Sequence, residues 1–279
     1  MKNTKKNLKS LESKWLESFY SGSEACFREI NLPSHNHRHH HRVWQIVKFI
    51  LDHLESKGIL LNRQELSNLM LASFFHDTGM SLTFDESHGK AGAEICRQFM
   101  ESSNMNINEF LPALEAIEKH DDKQYLHLKT LNNKPSIVLI LSTADDLDAF
   151  GFIGILRYAE IYLLRGTDLK DIPDKVINNA ERRFLHFKKT FRHFETLVEK
   201  QRPRYEELIK FYESLKKPSS NHTNREILEH IQHNLNNQQK NQHLTDLLAP
   251  VNSQYIENFR EKVIQGHQEI LNTSMDRFS

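Results

Sequence analysis

His76 and Asp77 adjoin each other at the end of an apolar run, Leu66 to Phe75, whose spacing is helical. Imidazole and carboxylate together can hold a divalent metal, and Gly79 is placed to close the helix behind them. Histidine is also the compositional oddity of the chain, with 17 copies against nine glycines and seven prolines. So few breakers mean that most of these imidazoles ride on helices.

Counting by helical turns shows which other ligand-type residues point the same way as a buried face. The stripe Val43, Val47, Ile50 and Leu54 extends back by one turn to His39. Leu66, Leu69, Met70 and Ser73 lead to His76 and Asp77, and His88 heads the stripe Ala91, Gly92, Ile95 and Phe99. Phe110, Leu114 and Ile117 lead to His120 or Asp121, while Ile137, Leu141 and Ala144 lead to Asp145 and Asp148. Nitrogen and oxygen ligands of this kind suit manganese, iron, magnesium or zinc, and a bound dication offsets the cost of burying them.

Each of these residues also has a purely structural reading. His76 can interact with a helix C-terminus while Asp77 starts a turn, and a lone inward histidine is usually a hydrogen-bonded core residue. The run His35 to His41 reads as a solvated basic cluster at His37, His40 and His41, with His39 the inward exception. Asp148 is expected to be a structural carboxylate bonded to a neighbouring helix, and Glu86 to cap its own.

The elements that must carry these residues are all helical. An opening amphipathic helix with Leu8, Leu11, Trp15, Leu16 and Phe19 is expected to end near Ser21-Gly22-Ser23, followed by a short helix through Cys26 and Ile30. After Pro173 the positions Ile177, Ala180, Phe184, Phe187, Phe191, Phe194 and Val198 form a coiled-coil-like seam, and Pro203 is expected to begin its antiparallel partner. The expected fold is therefore all-α, a helical bundle with a C-terminal helical hairpin and a helical tail. The expected organisation is a metal-binding domain over 1–170, a hairpin over 171–217 and a polar helical tail over 218–279.

Thirty-seven basic residues balance 37 acidic ones, so no global field draws the chain to nucleic acid or to an anionic membrane. Two cysteines, Cys26 and Cys96, are too few for a disulfide framework and suit a reducing compartment. With no apolar signal core and no run of spanning length, the expectation is a cytoplasmic protein. The C-terminal helices are the candidates for self-association.

The motifs His35-Asn36-x-x-His39-x-x-x-Val43, Phe75-His76-Asp77-x-Gly79, His88-x-x-x-Gly92-Ala93-Glu94, Ile117-x-x-His120 and Ala144-Asp145-x-Leu147-Asp148-Ala149-x-Gly151 occur in that order over residues 35–151. In this the chain resembles the HD-domain superfamily of metal-dependent phosphohydrolases. The resemblance implies that His39, His76, Asp77 and Asp145 ligate a first metal, that Asp77 bridges, and that His88 and His120 hold a second. It implies one or two divalent ions, among manganese, iron, cobalt, nickel, magnesium and zinc. It also implies a small phosphorylated substrate, such as a nucleotide, hydrolysed when a metal-bound hydroxide attacks phosphorus at the His76-Asp77 centre. Lys90, Lys119, Lys123 and Arg157 are the candidate phosphate contacts.

Two subgroups fit less well. The chain lacks the Gly-Tyr-Pro signature of cyclic-dinucleotide members, and Thr78-Gly79-Met80-Ser81 stands where the alarmone hydrolases carry a Glu-Asp pair. Other readings of the same ligand set are an HD-type diiron oxygenase and a non-catalytic binding protein stabilised by metal.

Overall fold

The computed structural model of the chain describes residues 2–122, 134–216, 222–236, 243–249 and 253–272. These contain eleven α-helices, three short 3-10 helices and no β-strand. Contacts divide them into two compact units, 2–30 with 35–145 and 31–34 with 146–272. The second unit thus begins before position 170, because the helix that ends at Leu164 packs among the helices that follow it.

In the first unit, α1 (Lys2–Cys26), α2 (His37–Ser56) and α3 (Arg63–Phe75) pack on one another, and α3 in turn meets α4 (His88–Ser102) and α5 (Leu111–Lys119). The start of α2 is fixed by Asn36, whose side chain accepts from the Arg38 backbone N–H. Asn62 and Glu65 form a reciprocal capping box at the start of α3. Helix α1 runs on through Gly22 to Cys26 and is not broken there. A Cβ at Gly22 would lie 2.5 Å from the Phe99 ring, so this glycine admits a neighbouring side chain.

Helix α2 is buried over most of its circumference, polar residues included. The Trp44 indole N–H and the Lys48 ammonium both donate to Glu12 Oε1 at 2.8 Å, which satisfies polar groups that burial would otherwise penalise. Helix α6 (Ile137–Asp148) contributes its residues up to Asp145 to this unit.

In the second unit, α7 (Gly151–Leu164) is apolar and largely buried. A hairpin of α8 (Ile172–Thr190) and α9 (Glu195–Leu215) packs on it, together with α10 (His222–Asn236) and α11 (Gln254–Asn272). The hairpin turns at residues 191–194, and Pro203 lies inside α9. Tertiary contacts override the helix-breaking tendency of that proline: Leu197, Val198 and Gln201 before it and Leu208, Phe211 and Tyr212 after it are all buried. Tyr205 stacks on Phe184 at 4.0 Å between ring centroids, and the Tyr212 hydroxyl donates to the Ile155 carbonyl at 2.8 Å.

Two buried ion pairs belong to this unit. Asp146 meets Arg183 at 2.6 Å, and Asp148 meets Arg157 at 2.9 Å. No helix among the described residues is long and apolar enough to cross a membrane.

Candidate metal centre

Six ligand-type side chains from the first unit converge in its interior. His39 comes from the first turn of α2, His76 and Asp77 from the end of α3, His88 from the first residue of α4, His120 from the end of α5, and Asp145 from α6. All are between 0% and 5% exposed. They form two groups that share Asp77, namely His39, His76, Asp77 and Asp145, and Asp77, His88 and His120. Within each group one ligand atom per residue lies within 4.8 Å of the others, which is compatible with a divalent metal.

The two carboxylate oxygens of Asp77 divide between the groups. Oδ2 lies 3.4 Å from His39 Nε2 and 3.7 Å from His76 Nε2. Oδ1 lies 3.0 Å from His120 Nε2 and 3.6 Å from His88 Nε2. Asp145 Oδ1 completes the first group at 3.4 Å from His39 Nε2 and 3.8 Å from His76 Nε2.

Backbone carbonyls aim the imidazoles of His76, His88 and His120. His76 Nδ1 pairs with the Ser73 carbonyl at 3.0 Å, His88 Nδ1 with Asp85 at 2.7 Å and His120 Nδ1 with Ile117 at 2.7 Å, in each case three residues upstream. A carbonyl can only accept, so each Nδ1 carries the proton and each ring, when neutral, offers its Nε2 lone pair to the cluster. Those lone pairs face carboxylate oxygens and, at 3.0 Å, the Nε2 of His39 opposite His76. Acceptor facing acceptor is unfavourable unless a proton or a cation lies between, so the donor set fits a divalent ion.

Electrostatics of the group follow the same logic. Burial alone would raise the Asp77 carboxyl, but His76, His120 and His39 around it hold it well below the usual carboxylate range. Burial pulls His120 down, yet the hydrogen bond and charge of Asp77 carry it above its ordinary value. His76 is lowered, chiefly by burial.

Close backbone approach makes the convergence possible. Gly79 does not terminate α3 in a left-handed turn. It sits in a 3-10 turn, Thr78–Ser81, where a Cβ would lie 1.9 Å from the His88 carbonyl oxygen. At Gly89 a Cβ would lie 2.6 Å from the Glu118 carbonyl oxygen, so α4 and α5 meet where they present His88 and His120. The two rings lie 5.2 Å apart.

The solvated reading of the histidine run fails for His37 and His40, which are 3% and 0% exposed, while His41 is half-buried. Helix α1 covers them: the His37 and His41 rings lie against Tyr20, and the segment after α1 places Phe27 against His40. His35 is buried too, its ring 5.9 Å from that of His39. A basic-looking run carries no signal that a preceding helix will cover it.

Of the phosphate candidates, Lys90 and Lys119 are not brought to the group. Lys90 is exposed and stands two residues, about 200° of helical turn, from His88. Lys119 is a surface residue 2.6 Å from Glu115. Arg157 is buried against Asp148, and Lys123 lies outside the described residues.

Comparison with known proteins gives one family match. Residues 37–149, which contain all six converging side chains, match the HD domain. No curated protein and no solved structure matches the chain. An all-helical unit, a buried His-Asp pair at the end of α3 and the match over the same residues agree: the chain carries an HD domain at 37–149.

Proposed function

We propose that the chain is a metal-dependent phosphohydrolase that cleaves a phosphoester or phosphodiester of a small substrate of the nucleotide class, using two divalent ions. The observation that carries this reading is the division of the Asp77 oxygens between two imidazole groups. HD domains are generally those of metal-dependent hydrolases, which supports the hydrolytic assignment.

His39, His76, Asp77 and Asp145 would hold the first ion, and Asp77, His88 and His120 the second. Divalent ions bound there would lower the pKa of a water towards neutrality and offset charge on the phosphoryl oxygens. The chain's own contribution is orientation and exclusion of bulk water. The Nδ1 bonds to Ser73, Asp85 and Ile117 fix the ligand nitrogens, and burial of every ligand keeps the local dielectric low.

Protein stripped of metal and reloaded with manganese, cobalt or iron should turn over a member of a panel of phosphomonoesters, cyclic nucleotides and nucleotides. Asp77→Ala should abolish both turnover and metal retention. Wild-type metal binding by that variant would refute the assignment.

The abundance of imidazole in the set favours transition metals over magnesium, which supports a second reading as a diiron oxygenase. Oxygen consumption by the ferrous protein would support it. Anaerobic turnover of a phosphoester with magnesium would exclude it.

A further inference from the structure

His40 lies in ring contact with the group, and its two ring nitrogens are both buried without a hydrogen-bond partner among the described residues. The side chain is 0% exposed. Its ring makes a T-shaped contact with His76 at 4.9 Å, a tilted one with His39 at 5.6 Å, and meets Phe27 on another side at 5.6 Å. His76, His88 and His120 each have a carbonyl for Nδ1 and a carboxylate or imidazole near Nε2, whereas His40 has neither.

A phenyl ring would fill the same space between Phe27 and His76 without burying unsatisfied nitrogens. Buried polar groups are normally paired, and an orphan among side chains that converge as metal ligands calls for a partner outside the chain. We propose that His40 is a positioning residue of the first metal group, one that hydrogen-bonds an oxygen, that of a water molecule, held beside His39 and His76. The proposal rests on the metal-centre reading above. It concerns orientation and hydrogen bonding only.

The test uses the full chain with cobalt(II) as the probe. It compares wild type, His40→Phe, His40→Asn and His40→Gln by metal-free melting temperature, cobalt affinity and the visible cobalt absorption band. Asn carries a polar group near the position of Nδ1 and Gln near that of Nε2.

The expected result is that His40→Phe melts at or above the wild-type temperature, binds cobalt about 10-fold or more weakly, and shifts the band, while Asn or Gln restores both. Two results would overturn the proposal: a wild-type band and affinity in His40→Phe, or equal loss in all three variants. Should His40→Phe not fold, the contrast between Asn and Gln decides, since a hydrogen-bonding role requires one to keep the band and affinity. Asp77→Ala run in parallel separates the two levels: cobalt binding unchanged in that variant refutes the metal centre itself, not the role of His40 alone.

Discussion

Asp77 and His120 lie 43 residues apart in sequence, yet Asp77 Oδ1 and His120 Nε2 come within 3.0 Å in the core of the first unit. The other oxygen of the same carboxylate faces His39 and His76. One side chain thus belongs to both groups, and variants should separate by which group they touch. Wild type should retain two metal ions per chain by elemental analysis. His120→Ala and Asp145→Ala should each retain one, and Asp77→Ala none. A single ion in wild type would remove the second site.

Metal removal should appear in stability. An ion present at a hundredfold excess over its Kd stabilises the native state by about 2.7 kcal/mol. At about 2–4 °C per kcal/mol for a large domain, removal of each ion should lower the melting temperature by about 5–10 °C. Asp77→Ala should show no such response.

Gly79→Ala tests the close approach of the 3-10 turn to α4. The added methyl would lie 1.9 Å from the His88 carbonyl oxygen, so backbone must move. A loss of about 1–3 kcal/mol is expected from overpacking. Because the displaced residue is His88, the second ion should be lost before the first, which stepwise cobalt titration would reveal.

Arg157 and Asp148 form a buried pair, with side chains 5% and 0% exposed. Arg157→Met would leave the carboxylate without this partner, and removing one member of such a pair costs about 3–5 kcal/mol. The melting temperature should fall sharply while KM for substrate stays within about twofold, against the role of phosphate contact that its sequence position suggests. A KM raised by tenfold with unchanged stability would restore that role.

Glu207 in α9 gives the second unit a pH signature. Burial raises its carboxyl from 4.5 to about 7. A carboxyl that holds its proton more tightly in the folded state favours folding below the unfolded value, and that contribution is lost as pH rises through about 7. Glu207→Gln should therefore gain stability over wild type as pH climbs from about 5 to about 8. Thermal melts across that range would show the gap widening, and a constant gap would refute the shift.

Helical periodicity made the converging residues legible up to a choice between His120 and Asp121 and between Asp145 and Asp148, because each ends or begins an apolar stripe whose side chains share a direction, and the motif order made that choice. The stripe heading α4 was readable only to within a residue: Cys96 and Met100 carry its buried face more than Ile95 and Phe99 do. The burial of His37 and His40 was not legible, since what covers them is α1 and the segment after it, through Tyr20 and Phe27. Gly79 resembled a helix stop because its true neighbour, the His88 carbonyl, is set by tertiary contact. Pro203 suggested a helix start for the same reason: local propensity cannot anticipate a helix held from both sides of the proline.

The bonds from His76 and His120 to carbonyls three residues upstream tie the aim of those nitrogens to the ends of α3 and α5, while His88, at the start of α4, is held by Asp85 in the short segment before it. Changes beyond those two helix ends leave the aim of His76 and His120 in place, whereas changes in the segment 82–87 would turn the His88 nitrogen. The ligand geometry of the proposed metal centre thus comes from two helix ends and one short turn, so that turn offers a way to alter the second group while the first keeps its aim.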